Sequence, residues 1–212
     1  MPDGAAGERP SRSISMFLVE KGTPGLRVGR ALDKHGWRSS DTAELFFEDC
    51  RIPAANLLGQ EGHGFYAIMR NFQNERIVIG AMAMGEAQAA LDLTLEWVTG
   101  RQAFGAPLWT KQAIRQRLAM LQAKVEAGRP LVYHAAWLDT QGMDATREVS
   151  MAKALCGELV NEVMYDCLQF HGGLGFMRGS AIERMARDAR VQTIGGGATE
   201  VMLEEVAKRM HP

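Results

Sequence analysis

The spacing of apolar residues changes near residue 60, and this change constrains the fold more than any other feature. Beyond it, apolar residues recur every three or four positions, which places them on one face of an α-helix. This spacing predicts long helices over 64–99, 110–141 and 144–170, a shorter helix near 180 with Ser180 as its N-cap, and a last helix over 199–210. The stripe of the second helix contains Ile114, Leu118, Leu121 and Val125, and that of the third contains Val149, Ala152, Cys156, Leu159, Val163 and Cys167. Long helices joined by short connections favour an antiparallel bundle.

The first part of the chain has the character of strands and turns. Ser13–Val19, Leu26–Arg30 and Leu45–Glu48 predict three short strands. Together they would make a thin sheet that needs support from the rest of the protein. We therefore expect a disordered tail over 1–13, a partial β-domain over 14–58 and a helical bundle domain over 59–212.

Composition excludes several classes of function. The formal net charge is -1, without the basic excess that is typical of a nucleic-acid binder. Cys156 and Cys167 would lie about 16 Å apart on one helix, too far for a disulfide. No Cys or His pairs have metal-ligand spacing, so we expect no metal site. No run approaches the roughly 18 apolar residues of a membrane helix, and we expect a cytoplasmic protein without membrane association.

Two glycine-rich turns lie beside predicted helices, at Gly172–Gly175 and Gly195–Gly197. Such turns bring backbone N–H groups close to a phosphate, but they also end helices. Neither turn follows a strand as in a dinucleotide-binding fold, so a Rossmann domain is excluded. Taken alone, helix termination is the commoner explanation.

The order of short motifs along the chain is more specific than any one of them. Eight segments, which span about residues 14–210, resemble the acyl-CoA dehydrogenase family. They are WRSSDT at 37–42, FED at 47–49 with Ile52-Pro53, GQEGHGF at 59–65, NER at 74–76, RQAFG at 101–105, QFHGG at 169–173, RDAR at 187–190 and IGGGATE at 194–200.

This resemblance implies a mostly α fold, in which an antiparallel four-helix bundle follows a partial β-domain. The family also has amino-terminal helices and early β-domain segments that bind flavin, and these have no counterpart here. The implied function is FAD-dependent α,β-dehydrogenation of an acyl-CoA. The implied partners are an electron-transfer flavoprotein and further copies in a dimer or tetramer, or a chain that supplies the missing amino-terminal half. A non-catalytic assembly subunit, an inactive remnant, and a related flavin oxidase or monooxygenase are the alternatives.

The resemblance also implies where the catalytic base lies. The family places a glutamate either in the final glycine-rich loop, at the position of Gly196, or before an arginine in the first bundle helix. Here Gly196 has no side chain and would leave space in the loop, whereas Glu75 precedes Arg76. The chain therefore resembles the isovaleryl-type and long-chain-type members, with Glu75 as the base.

The remaining site residues are carried over from the family's motifs. Arg101 and Phe104 resemble a pair that reaches the flavin of a neighbouring subunit, and an arginine fork suits a pyrophosphate. A second group of expected cofactor contacts comprises Gln112, Gln169, Gly172, Gly173, Ala198 and Glu200, although Ala198 lacks the threonine hydroxyl that is usual there. The expected substrate contacts are Gln73, Arg76, Gly196 and Gly197.

Overall fold

A computed structural model describes residues 10–210 of the chain. Two compact units are present. The first is formed by residues up to Lys34 and by Arg38–Phe72, and the second by His35–Trp37 and the residues from Gln73 onward. The division thus falls within the first long helix, whereas the sequence predicts a boundary between residues 58 and 59.

The first unit contains two separate pairs of antiparallel strands. Strand β1 (Met16–Phe17) pairs with β4 (Leu57–Leu58), and β2 (Leu26–Ala31) pairs with β3 (Ala43–Phe47). The prediction of one three-stranded sheet is therefore wrong. The partner of β1 is only two residues long, and such a short strand has no recognisable alternation of apolar residues. Of the predicted tail, residues 1–9 lie outside the described part of the chain, and Pro10–Arg12 forms a 3-10 turn.

The rest of the chain is mainly helical, which confirms the predicted fold class. The long helices are α1 (Gly64–Gly100), α2 (Gln112–Thr140) and α3 (Thr146–His171). The short helices are α4 (Ala181–Ala189) and α5 (Thr199–Ala207), and a small hairpin, β5 (Gln102–Ala103) and β6 (Ala106–Pro107), connects α1 to α2. Ser180 caps α4 as the sequence predicts, because its hydroxyl accepts a hydrogen bond from Glu183 N–H.

Contacts between the long helices establish their directions. Arg117 and Lys124 of α2 pair with Asp166 and Glu162 of α3, so the two helices run antiparallel. Between α1 and α2, Gln88 hydrogen-bonds Gln122, and Met84 contacts Gly128, which is again an antiparallel arrangement. Helix α1 is therefore parallel to α3, and α4 and α5 both pack against α3.

The core forms where the apolar stripes of the long helices meet. The predicted α3 stripe is entirely buried, and it comprises Val149, Ala152, Cys156, Leu159, Val163 and Cys167. In α2, Leu118, Leu121 and Val125 are buried as predicted, and Ile114 packs against their cluster. Burial raises the pKa of the Cys156 and Cys167 thiols to about 11, and all three cysteines are free.

Helix α1 is long and apolar enough, by length and composition alone, to cross a membrane. Core helices of proteins that do not enter membranes meet the same criteria, and 39% of the most apolar 18-residue window of α1 is buried here. The length and composition of α1 are therefore only weak evidence for a membrane span.

Candidate functional site

The face of α1 that carries Glu75 is turned toward the glycine-rich loop. Glu75 and Ile79 are four residues apart, so they lie one above the other on the same helix face. A Cβ atom built on Gly196 would lie 2.5 Å from Ile79 Cδ1. Glu75 itself is exposed. Glu75 thus lies one helical turn before Ile79, the residue of α1 that meets the loop at Gly196.

The loop itself has a backbone that side-chain-bearing residues rarely adopt. The φ angles of Gly196 and Gly197 are +67° and +119°. A Cβ atom on Gly197 would lie 2.7 Å from Cε of Met202, which is fully buried. The glycines are thus required by backbone conformation and by the packing of α5, and not only by the end of a helix.

The space beside Gly196 is not empty. The sequence predicts that the missing side chain leaves room, but the end of the Ile79 side chain fills that space. A glutamate at position 196 would require Ile79 to move. Since only the flexible end of one side chain blocks the position, the conflict is local.

Arg76 joins α1 to the loop through a hydrogen bond. Its Nε donates to Gly196 O at 2.9 Å. Burial lowers the pKa of the Arg76 guanidinium, while the carboxylates of Glu205 and Glu75 act in the opposite direction. This hydrogen bond brings the predicted substrate residues Arg76 and Gly196 together, next to Glu75.

A second cation reaches the same loop from α3. Lys153 is fully buried, and its Nζ donates a hydrogen bond to Gly197 O. Burial is the main cause of a lowered pKa for the Lys153 ammonium group. The positive charge of Arg76 lowers it further, and Glu158 and Glu200 oppose these effects. The two cations thus bind successive carbonyls of one loop.

Gln73 lies two residues before Glu75 and contacts the start of α3. Its Nε2 donates to Thr146 Oγ1 at 2.7 Å. Its Oε1 atom is buried and accepts no hydrogen bond from the residues that the structure describes. Part of the side chain is therefore fixed by α3, and its acceptor oxygen is available to a donor.

Ala198 and Glu200 lie at the start of α5, beside a cavity of about 400 Å³. Ala198 is the N-cap of α5, and no side chain caps the first turn. Arg190 and Thr199 also line this cavity. The uncapped helix N-terminus and Arg190 favour an anionic group, because the first N–H groups of a helix lack partners within it. The carboxylates of Glu158 and Glu200, which line the same cavity, act against it.

The predicted cofactor residues near the other end of α1 are strongly exposed. Phe104 has a φ of +54° in the turn between β5 and β6, and 92% of its surface is accessible. The guanidinium of Arg101 lies 5.8 Å from the ring centroid of Trp97. Arg101 and Arg178 both line an open cavity of about 920 Å³. This end of the helix presents exposed aromatic and cationic side chains to solvent, with Lys111 Nζ 5.7 Å from the ring centroid of Phe104.

Four further predicted contacts lie in this part of the protein. Gln112 is the first residue of α2, and Gln169 lies near the end of α3; both are exposed. A Cβ atom built on Gly172 or Gly173 would meet nothing within 4 Å, so the backbone there is open to a close approach. His171, next to them, stacks on Trp97 with the ring centroids 5.4 Å apart, and so contributes to packing.

The predicted site residues therefore form two groups. Glu75 lies in the first third of α1 and Arg101 directly follows its last residue, so the two are about 39 Å apart along the axis at a rise of ~1.5 Å per residue. Gln73, Arg76, Gly196, Gly197, Ala198 and Glu200 accompany Glu75. The second group consists of Arg101 together with Phe104, Gln112, Gln169, Gly172 and Gly173. The chain thus carries two separate groups of candidate site residues, called here the two candidate half-sites. The resemblance implies that the Arg101 group reaches the flavin of a neighbouring subunit.

Sequence reasoning missed two residues of the Glu75 group. Lys153 lies within the buried stripe of α3, where a lysine interrupts a series of small apolar residues, and that interruption was the available signal. Ile79 has no comparable signal, since an isoleucine on an apolar helix is ordinary. Only the packing against Gly196 reveals its position.

Comparison with known proteins agrees with this geometry. Residues 62–211 match the family model described as "Acyl-CoA dehydrogenase, C-terminal domain". The chain is 43% identical over 202 residues to the acryloyl-CoA reductase (NADH) of Anaerotignum propionicum, which covers 93% of this chain and 51% of that protein. It is 40% identical over 203 residues to an acyl-CoA dehydrogenase of Bacillus subtilis, with 96% and 54% covered.

Solved structures agree in the same way. A probable acyl-CoA dehydrogenase from Mycobacterium abscessus superposes with a TM-score of 0.93 at 43% identity, over 95% of this chain and 54% of that one. A chain in a structure titled for the electron transferring flavoprotein of Acidaminococcus fermentans superposes with a TM-score of 0.91 at 38% identity, over 94% and 53%.

The chain spans about half the length of the curated relatives that it matches. The match of the family model covers most of the chain, including α1 to α5 and both candidate half-sites. The chain therefore belongs to the acyl-CoA dehydrogenase family and carries its C-terminal domain.

Proposed function

We propose that the protein takes part in the FAD-dependent α,β-dehydrogenation of an acyl-CoA thioester, with Glu75 as the catalytic base. The observation that carries this proposal is the position of Glu75. It lies on the helix face that packs on the glycine-rich loop, and it is joined to that loop through the Arg76–Gly196 hydrogen bond. Glu75 keeps an exposed carboxylate where a thioester would lie against Gly196 and Gly197.

The chemistry asked of Glu75 is the removal of a proton from the α-carbon. Its carboxylate accepts the proton as the α C–H bond breaks, and the hydride from the β-carbon is taken up by FAD when it is bound. A bound acyl chain would cover Glu75 and exclude water from it, so that the carboxylate faces the α-carbon directly. Arg76, through its hydrogen bond to Gly196 O, ties this turn of α1 to the loop.

The residues of the chain fit an anionic dinucleotide at two places. At the start of α5, Arg190 and the uncapped helix N-terminus line one cavity, beside Ala198 and Glu200. At the far end of α1, Arg101 lines the other cavity, and the open glycines lie nearby. Because about 39 Å of helix separates the two ends, we propose that they serve different cofactor molecules. The Arg101 end would complete the site of a neighbouring subunit.

This arrangement requires association, and large apolar side chains are available for it. Phe104, Tyr165 and Phe176 are each at least three-quarters exposed. We propose a homo-oligomer, or a complex with a polypeptide that provides the rest of the flavin site. We also propose an electron-transfer flavoprotein as the electron acceptor, which the similarity to a chain in a structure titled for such a flavoprotein supports.

Flavin absorbance tests the proposal directly. The visible spectrum of the purified protein is recorded with FAD, before and after an acyl-CoA is added without oxygen. We expect a flavin band that the acyl-CoA bleaches. Glu75→Gln should keep the band and lose bleaching by roughly 10²–10⁴-fold in rate, because the amide cannot accept the proton.

Glu126→Gln is the matched control, since it removes a carboxylate from the surface of α2 without touching either half-site. It should bleach at the wild-type rate. Near-normal bleaching by Glu75→Gln would disprove its role as base. If the protein binds no FAD at any concentration, the non-catalytic assembly role is supported instead.

A further inference from the structure

Lys153 lies where a charged group is costly. Its side chain is among the largest that are fully buried, and removal of an ammonium group from water is unfavourable unless its partners compensate. Within the described part of the chain it forms no salt bridge, and its hydrogen bond goes to a backbone carbonyl, Gly197 O. A buried apolar residue of similar volume would pack α3 at lower cost. Packing alone therefore does not explain the lysine.

The acceptor of this hydrogen bond is informative. Arg76 from α1 binds Gly196 O, and Lys153 from α3 binds Gly197 O. Two elements thus hold two successive peptide groups of one loop. Glycine loses more conformational freedom on ordering than any other residue, so a run of three glycines keeps a fixed shape only if other groups impose it.

The geometry of the peptide group indicates where the backbone N–H groups of the loop point when the two cations bind its carbonyls. No described peptide bond is cis, so the N–H of each peptide group points away from its C=O. Since Arg76 binds Gly196 O and Lys153 binds Gly197 O, the N–H groups of Gly197 and Ala198 each point away from the cation that holds their peptide group. Neither donates a hydrogen bond to a described residue. A positive charge on a carbonyl also makes the N–H of the same peptide group a better donor.

We propose that Lys153 is a positioning residue that, with Arg76, holds the glycine-rich loop so that its backbone N–H groups face the substrate. The two residues form a clamp behind the loop: Arg76 binds the first carbonyl and Lys153 the second. Lys153 touches no reacting atom and acts through Gly197 and Ala198. The existence of the clamp is inferred from the two hydrogen bonds alone, whereas its role in catalysis rests on the function proposed above.

Nuclear magnetic resonance of the wild-type chain provides the first test. In protein labelled with ¹⁵N-lysine, we expect a Lys153 ammonium signal whose protons exchange with water at least about tenfold more slowly than those of exposed lysines, because the group is buried and hydrogen-bonded. Exchange at the rate of an exposed lysine would overturn the clamp. This measurement needs no variant and no cofactor.

The second test separates positioning from packing. Lys153→Met keeps the length of the side chain and removes its charge and donor. We expect the backbone order parameters of Gly196 and Gly197 to fall from about 0.85 to below about 0.6, while the melting temperature stays the same or rises. Lys124→Met, which removes a surface lysine paired with Glu162, should leave the loop unchanged.

Either of two results would contradict the proposal. An unchanged loop in Lys153→Met would show that the lysine does not hold it. A general loss of order and a lower melting temperature would assign Lys153 to the core alone. If the variant does not fold, the proton exchange of wild-type Lys153 decides the question.

The catalytic consequence is measured in the FAD-loaded protein. Lys153→Met should lower kcat by roughly tenfold to hundredfold with FAD affinity unchanged, because small displacements of an aligned site have effects of this size. An unchanged kcat with a loosened loop would overturn the substrate-facing role of the loop. If even the wild-type protein is not bleached by acyl-CoA, the proposed function fails, while the exchange and order-parameter results still decide whether the clamp exists.

Discussion

The two ends of α1 use glycine-rich loops in opposite ways. At the Glu75 end, Gly196 and Gly197 are held by cationic side chains, and both positions are filled by neighbouring side chains. At the Arg101 end, Gly172 and Gly173 meet nothing, and Phe104 projects into solvent. The first loop is packed by other residues of its own chain, and the second is open among the described residues. Similar runs of glycine therefore serve different purposes, which only their surroundings distinguish.

Substitution of a glycine by alanine should change the free energy of unfolding very differently at the two ends of α1, and this is the largest effect that we expect. Gly197→Ala forces a side chain into a backbone with a φ of +119° and toward Met202, so we expect a loss of about 2–4 kcal/mol in the free energy of unfolding. Gly173→Ala has open space and should change it by less than about 0.5 kcal/mol. Urea denaturation of both variants measures the difference, and equal effects would remove the distinction between the loops.

Arg101 should affect cofactor binding and leave stability unchanged. Its guanidinium lines an open cavity, and the loss of a charge-assisted hydrogen bond costs about 1.5–3 kcal/mol. We expect Arg101→Ala to weaken FAD binding by about tenfold to hundredfold, as measured by fluorescence titration, with an unchanged melting temperature. Arg115→Ala removes the same charge outside that cavity and serves as the control. An unchanged FAD affinity in Arg101→Ala would exclude Arg101 from the cofactor site.

The reactivity of the cysteine thiols tests how tightly the helical core between the two ends of α1 is closed. Burial raises the pKa of the Cys156 and Cys167 thiols to about 11, so both stay protonated at pH 8 and are shielded from reagents. Cys50 is partly exposed. A thiol titration at pH 8 should therefore find one fast-reacting cysteine and two that react only after denaturation. Rapid reaction of all three would mean that the helices open readily between the two half-sites.

A glycine between the two ends should give the smallest effect, with the opposite sign. Gly85 lies within α1, and a Cβ atom there would meet nothing within 4 Å. Gly85→Ala should raise the free energy of unfolding by about 0.5–1 kcal/mol, because alanine loses less backbone entropy in a helix. Calorimetry provides the measurement. A destabilised variant would reveal a close contact of α1 that the structure does not contain.

The sequence predicted well those features that depend on local spacing. The stripe from Val149 to Cys167 identified both α3 and its buried face, and Ser180 identified the start of α4. It predicted poorly the features that depend on distant contacts. The partner of β1 is a two-residue strand about forty residues later, and the value of Lys153 depends on a carbonyl that is 44 residues away. Such pairings leave no periodic trace in the sequence.

In the candidate site, too, local patterns were predictable from the sequence and distant contacts were not. The short motifs indicated Glu75, Arg76 and the glycines, because each is a local pattern of residue types. They could not show that Ile79 fills the space at Gly196. That contact depends on how closely α1 approaches the loop, which is set by packing across the whole bundle.

The unbroken course of α1 has a consequence for how proteins of this kind can vary. One added residue would lengthen the helix by about 1.5 Å and rotate everything beyond it by about 100°. Glu75 and Arg101 would then point in new relative directions, and the packing of α1 on α2 and α3 would lose its register. We therefore expect insertions and deletions to accumulate in connections such as 141–145. The number of residues between Glu75 and Arg101 should stay constant, because it sets both the distance and the relative direction of the two side chains.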